Sequence, residues 1–203
     1  MLKQVFYDWG GLNVWLFHIV NDLRTPAWDQ LMLWGTQLGG HTQFPLYLAI
    51  LGVAALMCVG RDAGRTGEWL LVMVVFSVAY LLDGWLLGWL KPWLDFPRPP
   101  LALPPGSLHV LGTPELHHSL PSGHSTFAML CAASSWPILG RSGRAAAMVF
   151  VAWVGLSRIS LGAHFPADVL AGLLFSLTVV VLVRRLLARL MRAHRCPNGD
   201  GLS

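Results

Sequence analysis

The sequence predicts an all-α membrane protein: a polytopic helix bundle of five to six transmembrane helices with an amphipathic N-terminal region. Of its 203 residues, 55% are hydrophobic and only 12% are charged. An average soluble domain carries about 25% charged residues. A soluble core of this size could not bury so much apolar surface. Composition therefore excludes a soluble enzyme, a disordered chain and a disulfide-stapled secreted domain, and predicts one membrane domain over residues 1–203.

Five apolar runs approach the roughly 20 residues that a helix needs to cross the hydrocarbon core of a membrane. They are Phe44–Val59, Trp69–Leu90, Ser125–Leu139, Ala145–Leu161 and Pro166–Val183. Some of these runs are short, so their polar ends must lie at the interface or against protein. Together they predict a transmembrane core over residues 44–183.

The first forty residues have a different pattern. Phe6–Val20 and Trp28–Leu38 are apolar but are interrupted by polar side chains. We interpret residues 1–40 as two amphipathic helices that lie at the membrane interface, with tryptophans as anchors. The alternative is a sixth span within residues 5–40.

The basic residues are distributed unevenly between the two sides of the predicted bundle. If five spans alternate, nine of the fourteen Lys and Arg residues fall on one side. They are Arg61, Arg65, Arg141, Arg144, Arg184, Arg185, Arg189, Arg192 and Arg195. The positive-inside rule makes this side cytoplasmic. Residues 184–203 are then a basic cytoplasmic tail, no nucleic-acid partner is expected, and the layout suits a bacterial inner membrane.

Three polar clusters interrupt the apolar sequence, and the alternation of spans brings all three to the opposite, outer face. They are Lys91–Pro99, Pro121–His124 and Ser157–Asp168. The clusters hold three cations and two imidazoles, namely Lys91, Arg98, Arg158, His124 and His164. So many cationic groups at one face are costly to hold without an anion. Because arginine matches phosphate oxygens bidentately, we expect the anion to be a phosphate.

The second cluster is predicted to open a helix. Pro121 ends a proline-rich loop, and Ser122 is a plausible N-cap for the apolar run that follows. The free backbone N–H groups of a helix start bind anions. Gly123 allows the backbone to approach a phosphate oxygen closely because it has no Cβ.

The third cluster holds a histidine and a carboxylate one helical turn apart. His164 and Asp168 are four positions apart, and Pro166 between them suits the first position of a helix. A carboxylate on one ring nitrogen makes the other nitrogen more basic, which suits a nucleophile. His124 is then available to protonate a leaving oxygen.

These clusters resemble the three-part signature of the type 2 phosphatidic acid phosphatase family. The signature K-x6-R-P, P-S-G-H and S-R-x5-H-x3-D is matched at eleven positions, in order and spacing. The matching residues are Lys91, Arg98, Pro99, Pro121, Ser122, Gly123, His124, Ser157, Arg158, His164 and Asp168. The resemblance implies a membrane-bound lipid phosphatase.

The resemblance also implies a role for each motif residue. Lys91, Arg98, Arg158, Ser122 and the backbone of Gly123 would bind the phosphate. His164 would attack phosphorus and form a phosphohistidine, Asp168 would orient His164, and His124 would protonate the leaving group. No metal or other cofactor is expected, because the cations neutralise the phosphate.

The expected substrate is an amphiphilic lipid phosphate or diphosphate, hydrolysed at the periplasmic face of the membrane. Undecaprenyl diphosphate, phosphatidylglycerol phosphate and phosphatidic acid are the candidates. Relatives specific for isoprenyl diphosphates often carry Asp where this chain has Gly123, which favours broader lipid phosphates. One alternative is a lipid phosphotransferase that uses the same phosphohistidine. Another is a non-catalytic membrane protein that binds or transports lipids.

Other polar residues have structural interpretations. Asp83 lies within an apolar span, where an acid is costly, and we expect it to face a structural partner. His109, His117, His118 and Glu115 are interpreted as loop residues rather than metal ligands. Trp85, Trp89 and Trp93 recur at a spacing of four residues, which places them on one helical face at the outer rim.

Overall fold

The computed structural model describes residues 7–113 and 115–195, and within these ranges every regular element is a helix. The all-α prediction is therefore confirmed. The helices are α1 (Leu12–Asn21), α2 (Pro26–Leu38), α3 (Phe44–Cys58), α4 (Ala63–Leu94), α5 (Pro99–Ala102), α6 (Gly123–Ser135), α7 (Arg141–Ser160) and α8 (Pro166–Arg195). Short 3-10 turns precede α1 and α3. Residues 1–6, Pro114 and residues 196–203, which complete the predicted N-terminal region, loop and tail, lie outside the described residues.

Three helical stretches of the described chain are long and apolar enough to cross a membrane. They are His41–Cys58, Ala63–Ala102 and Pro166–Arg192. The other two predicted spans correspond to α6 and α7. With 13 residues, α6 is about 20 Å long, whereas the hydrocarbon core is about 30 Å thick. The number of membrane-crossing helices stays a prediction.

Helix α6 lies at the centre of the bundle, in contact with α4, α7 and α8. Its side chains are buried on several faces, including Phe127 and Leu130, which join the main hydrophobic core with Phe76 of α4 and Val180 of α8. A short helix surrounded by other helices does not need to match the thickness of the bilayer. This agrees with the expectation that the short apolar runs have their ends at the interface or against protein.

Two helices are longer than their predicted spans. The span predicted to end at Leu90 continues as helix α4 through Pro92 to Leu94, and the loop begins at Asp95. Pro92 has no N–H to donate to the Gly88 carbonyl, so this part of α4 lacks one backbone hydrogen bond. Helix α8 continues to Arg195, so the predicted basic tail starts as a helix.

Both N-terminal helices form and pack against α7. Two of the polar residues of α1 are buried: Asn13 accepts a hydrogen bond from the Ala167 amide at 3.0 Å, and Asn21 donates one to the Ser160 carbonyl at 2.9 Å. These polar residues therefore hold α1 against the ends of α7 and α8. That α1 and α2 also lie at the membrane interface stays a prediction.

The predicted tryptophan anchors have different environments. Trp15 and Trp34 are more than half exposed, as anchors require, at 59% and 53%. Trp28 instead donates its indole N–H to the Ser160 hydroxyl at 2.9 Å. Trp85, Trp89 and Trp93 on α4 are exposed at 63%, 71% and 78%, which agrees with one outward-facing row of side chains.

The predicted partner of Asp83 is found on α8. The Asp83 carboxylate accepts a hydrogen bond of 2.6 Å from the Ser176 hydroxyl, and Asp83 is 1% exposed. This bond joins α4 to α8 below the polar end of the bundle. The structural interpretation of Asp83 is confirmed.

Candidate active site

The ends of four helices surround a cavity of about 640 Å³. The end of α4, the start of α6, the end of α7 and the loop before α8 bring the three polar clusters together. Six predicted site residues line this cavity: Lys91, Arg98, Gly123, His124, Arg158 and His164. Asp168 and Ser122 do not line the cavity: Asp168 lies next to His164, and Ser122 directly precedes Gly123. The convergence that the topology predicted is therefore present in the structure.

Asp168 is a buried acceptor at the start of α8. Its Oδ2 accepts hydrogen bonds from the Ser119 hydroxyl at 2.6 Å, the Phe165 amide at 2.9 Å and the Tyr7 hydroxyl at 3.3 Å. The same oxygen lies 3.4 Å from His164 Nδ1. Several donors hold this carboxylate in place, so it can fix the orientation of the His164 ring.

His164 is 1% exposed and is held from both sides. Its Nδ1 faces the Asp168 carboxylate, and its Nε2 lies 3.3 Å from Arg98 Nη1. A carboxylate accepts and a guanidinium only donates, so the proton belongs on Nδ1 and the lone pair on Nε2. Burial lowers the pKa of His164 to about 4, against the opposing effect of Asp168. The imidazole is therefore neutral at neutral pH, with Nε2 available as a nucleophile.

Arg98 is almost fully buried, and its guanidinium is positioned by the loop around it. Its Nε donates to the His117 carbonyl at 3.0 Å, and its backbone N–H donates to the Leu116 carbonyl at 2.8 Å. Nη2 forms an ion pair with Glu115, a loop residue that lines the cavity. Glu115, interpreted from the sequence as a loop residue, therefore lies within the site.

Two further cations line the cavity with unused hydrogen-bonding capacity. Arg158 Nη1 donates to the Thr36 hydroxyl, but Arg158 Nε is buried without a hydrogen-bond partner. Lys91 has no carboxylate within ion-pair distance among residues 7–113 and 115–195. Buried donors without acceptors are costly, which favours an anion in this cavity.

Ser122 caps α6 as predicted, but its side chain does not line the cavity. It is fully buried, and its hydroxyl accepts hydrogen bonds from the Ser125 hydroxyl at 3.0 Å and the Ser125 amide at 3.5 Å. Its own amide donates to the Asp168 carbonyl at 2.9 Å. This residue therefore ties the start of α6 to the start of α8, and its assignment to the phosphate stays a prediction.

Gly123 and His124 are the first two residues of α6, and both line the cavity. Their backbone N–H groups have no acceptor in the described chain. Burial and the charge of Arg158 lower the pKa of His124, which precedes the predicted span Ser125–Leu139. A bound phosphate would supply the negative charge that favours protonated His124.

The structure adds residues to the site that the motifs do not contain. His41, from the 3-10 turn before α3, lines the cavity beside Gly123: a Cβ on Gly123 would lie 3.1 Å from His41 Nε2. Tyr7 and Ser119 support Asp168, as described above. Burial and the charge of Asp168 raise the pKa of Tyr7, so its phenol stays protonated and can donate.

Local sequence patterns offer little to identify these additional residues. Tyr7 and Asp168 are 161 positions apart, and Thr36 and Arg158 are 122 positions apart. Only the packing of α1 and α2 against the bundle brings them together. The sequence held one indication that the N-terminal helices pack against the bundle: polar residues interrupt the apolar runs Phe6–Val20 and Trp28–Leu38.

The loop histidines lie outside the cavity wall. His117 and His118 each have Nδ1 near Asp95 Oδ1, at 3.4 Å and 3.2 Å. His109 contributes backbone groups, and its carbonyl accepts from Asn21 at 2.8 Å. Among the described residues, no group of three or more His, Cys, Asp or Glu side chains is arranged to hold a metal ion.

Comparison with known proteins agrees with this geometry. A family model described as "PAP2 superfamily" matches residues 72–192. Over 175 residues the chain is 28% identical to phosphatidylglycerophosphatase B of Bacillus subtilis, which covers 80% of this chain and 76% of that protein. Over 71 residues it is 39% identical to lipid A 1-phosphatase of Rhizobium johnstonii. That match spans 32% of this chain and only 29% of the relative's length.

Two crystal structures share the fold. One is the first transmembrane PAP2 type phosphatidylglycerolphosphate phosphatase from Bacillus subtilis, with a TM-score of 0.67 and 25% identity over 89% of this chain and 86% of the other. The second is Aquifex aeolicus LpxE, with a TM-score of 0.65 and 24% identity over 86% of this chain and 95% of the other. With three helices of spanning length in the described chain, the protein is an integral membrane protein.

The family assignment rests on two independent observations. The matched region 72–192 is more than half of the 203 residues and contains every motif residue from Lys91 to Asp168. The motif residues also meet in space, around one cavity at one end of the bundle. The chain belongs to the PAP2 superfamily.

Proposed function

We propose that this protein is a metal-independent phosphatase that hydrolyses a lipid phosphate or diphosphate through a phosphohistidine on His164. The observation that supports this most strongly is the position of His164 Nε2. The atom faces the cavity beside Arg98, and the ring is oriented from behind by Asp168. A buried imidazole held between an acceptor and a cation suits a nucleophile that attacks an anionic centre.

In the first step, His164 Nε2 forms a bond to phosphorus as the phosphorus–oxygen bond to the lipid breaks. His124 gives a proton to the leaving oxygen, so the lipid alcohol, or the lipid monophosphate from a diphosphate, departs with that oxygen protonated. In the second step, water attacks the phosphohistidine, His124 accepts a proton from that water, and the nitrogen–phosphorus bond breaks. His164 and inorganic phosphate are released, and both histidines return to their starting states.

Charge neutralisation is assigned to this chain's own cations. Arg98, Arg158 and Lys91 line the cavity, and the backbone N–H groups of Gly123 and His124 open into it. Arginine forks and helix-start amides stabilise negative charge that spreads over the phosphate oxygens in the transition state. With these donors in place, we expect hydrolysis without added metal.

The substrate is proposed to be a lipid because one wall of the cavity is apolar. Tyr80, Leu81, Trp85 and Leu87 of α4 line it beneath the cations. Phosphatidylglycerol phosphate, phosphatidic acid and undecaprenyl diphosphate each combine a phosphate with an apolar tail, and the names of the relatives above support this class. By the positive-inside rule, the cavity would face the periplasm of a bacterial inner membrane, with the C-terminus in the cytoplasm.

The test is phosphate release by the detergent-purified protein, without added metal and with EDTA present. The three candidate lipids are compared with the wild type, His164→Asn and His118→Asn. His118 is a matched control because it lies outside the cavity and its φ of 57° is tolerated by asparagine. We expect release from at least one lipid, reduced at least about a thousandfold by His164→Asn only.

The other outcomes are also informative. Binding without release from any lipid would contradict the phosphatase. Release that appears only when an acceptor lipid is added would support the phosphotransferase alternative instead.

A further inference from the structure

A second cavity, of about 360 Å³, lies at the end of the bundle opposite the active site. Its walls come from α6, the following turn, α7 and α8, and include Ala132, Trp136, Met148, Leu177 and Val181. The active site is at the start of α6 and the start of α8, whereas this groove is at the end of α6 and the middle of α8. It opens because α6 stops at Ser135 while α7 and α8 extend past it. We call it the α6-end groove.

The lining of the α6-end groove is apolar except for one arginine, Arg184 of α8. Arg184 Nη2 donates to the Ser134 carbonyl at 2.7 Å. From α7, Arg144 Nε donates to the Trp136 carbonyl at 3.2 Å, and its guanidinium lies 5.3 Å from the Trp136 ring centre. Two guanidiniums thus bind carbonyls at the end of α6 and just after it: Arg184 lines the groove itself, and Arg144 lies against Trp136, which lines the groove.

Both arginines keep unused donors. Apart from the bonds just described, the Arg144 and Arg184 guanidiniums have no acceptor in the described part of the chain. Neither has a carboxylate within ion-pair distance there, and the same holds for their neighbours Arg141, Arg185, Arg189 and Arg192. The charge around the groove mouth is therefore not compensated by the described protein.

A second hollow continues the groove along α8. It has a volume of about 370 Å³ and shares Val181 and Arg184 with the α6-end groove. Its remaining lining includes Arg185, Arg189 and Arg192. An apolar channel that leads into a row of arginines is complementary to a lipid with an apolar tail and an anionic headgroup.

We propose that the α6-end groove binds an anionic phospholipid of the surrounding membrane. An acyl chain would lie along Ala132, Met148 and Leu177, and the phosphodiester would accept hydrogen bonds from Arg184 and Arg144. Basic pockets between transmembrane helices bind such headgroups because arginine matches phosphate oxygens. This lipid is separate from the substrate, and the proposal does not depend on the phosphatase activity.

The test is native mass spectrometry of the full-length protein in neutral detergent, titrated with phosphatidylglycerol or phosphatidylcholine of equal chain length. The double variant Arg144→Gln/Arg184→Gln removes both headgroup donors. The matched control Arg61→Gln/Arg65→Gln removes two charges at the same end of the bundle but outside the groove. We expect the wild type and control to prefer phosphatidylglycerol, and the groove variant to need at least about tenfold more lipid for equal occupancy.

Two further variants keep the test decisive if the double variant folds poorly. Met148→Trp fills the groove from a side chain that is 47% exposed, with every arginine intact, and should also weaken phosphatidylglycerol binding. Arg98→Gln, in the active site, should leave phosphatidylglycerol binding unchanged.

Equal binding of the two lipids, or equal binding by wild type and Met148→Trp, would overturn the proposal. Loss of binding in Arg98→Gln would place the lipid in the active site, and displacement by millimolar inorganic phosphate would indicate a simple anion site.

Discussion

At the scale of single residues, the site depends on His164 being kept neutral. The ring is buried between Asp168 and Arg98, and its pKa is lowered to about 4, whereas a histidine in an unfolded chain titrates near 6.5. Below pH 6.5 the unfolded chain therefore binds a proton that the folded protein does not bind until about pH 4. This difference favours unfolding progressively as the pH falls from 6.5 to 4, and it disappears above 6.5.

We therefore expect the thermal midpoint of the wild type to fall between pH 6.5 and pH 4.5 more steeply than that of His164→Asn. Intrinsic fluorescence in detergent measures both midpoints. Only the slopes are compared, because the substitution also shifts the midpoint itself. Equal slopes would show that His164 is not held neutral by the fold.

Gly123 provides a second prediction at this scale. A Cβ at this position would lie 3.1 Å from His41 Nε2, so Gly123→Ala must push the His41 ring or the start of α6. We expect the KM for the lipid phosphate to rise about fivefold, which corresponds to about 1 kcal/mol. His41→Ala in the same chain should restore much of the loss, and His41→Ala alone is the control. If the double variant is no better than Gly123→Ala, the contact with His41 is not the cause.

These residues also show what sequence could and could not predict at the site. The proximity of His164 and Asp168 was predictable from their spacing of four residues, although only Asp168 lies in α8 and His164 lies in the loop just before Pro166. Ser122 caps α6 as predicted, and its contact with the phosphate stays a prediction, because the structure shows its hydroxyl accepting from Ser125. His41 and Glu115 lie in a turn and a loop, where spacing carries no information about direction.

At the scale of elements, the position of α6 controls the site. Its first turn supplies Gly123 and His124, and it is held against α8 where a Cβ on Gly172 would lie 2.5 Å from the Ser122 carbonyl oxygen. This close approach requires glycine at position 172. A larger residue must separate α6 from α8 and move the helix start away from Asp168.

Gly172→Ala is therefore expected to destabilise the protein by about 1–3 kcal/mol, the cost of overpacking, and to reduce phosphatase activity. Gly67→Ala on α4 is the matched control, because nothing lies within 4 Å of its added Cβ. The control should be neutral or slightly stabilising, since alanine favours a helix over glycine. Thermal unfolding and phosphate release measure the two effects. A Gly172→Ala protein as stable and active as the control would contradict the proposed role of this contact.

Helix lengths were the less predictable property of these elements. Hydropathy located a helix at each of the five apolar runs, because an apolar run of this length is helical whether it meets lipid or protein. It could not show that α6 is short and enclosed, since lipid and a protein interior favour the same side chains. The apolar runs mark the spans and not the helix ends: α4 continues past Leu90 through Pro92 to Leu94, and α8 continues past Val183 through an arginine-rich segment, because arginine is a good helix former.

At the scale of the whole molecule, the bundle has two chemically different ends. One end gathers Lys91, Arg98 and Arg158 around a cavity for the proposed substrate, and the other carries arginines at the α6-end groove. The all-α class and the convergence of the motifs followed from composition and from alternation of the spans. The docking of α1 and α2 against α7 could not be predicted in this way, because the buried asparagines of α1 resemble interfacial polar residues in sequence.

The proposed mechanism requires His164 Nε2 to become covalently bonded to phosphorus during turnover. The most direct test is to denature the protein in alkali during turnover of a ³²P-labelled lipid phosphate, since a phosphohistidine survives alkali, and to locate the label by peptide mass spectrometry. We predict phosphate on His164 in the wild type and none in His164→Asn. Unlabelled wild-type protein under turnover, combined with phosphate release by His164→Asn near the wild-type rate, would contradict the claim and indicate direct attack by water.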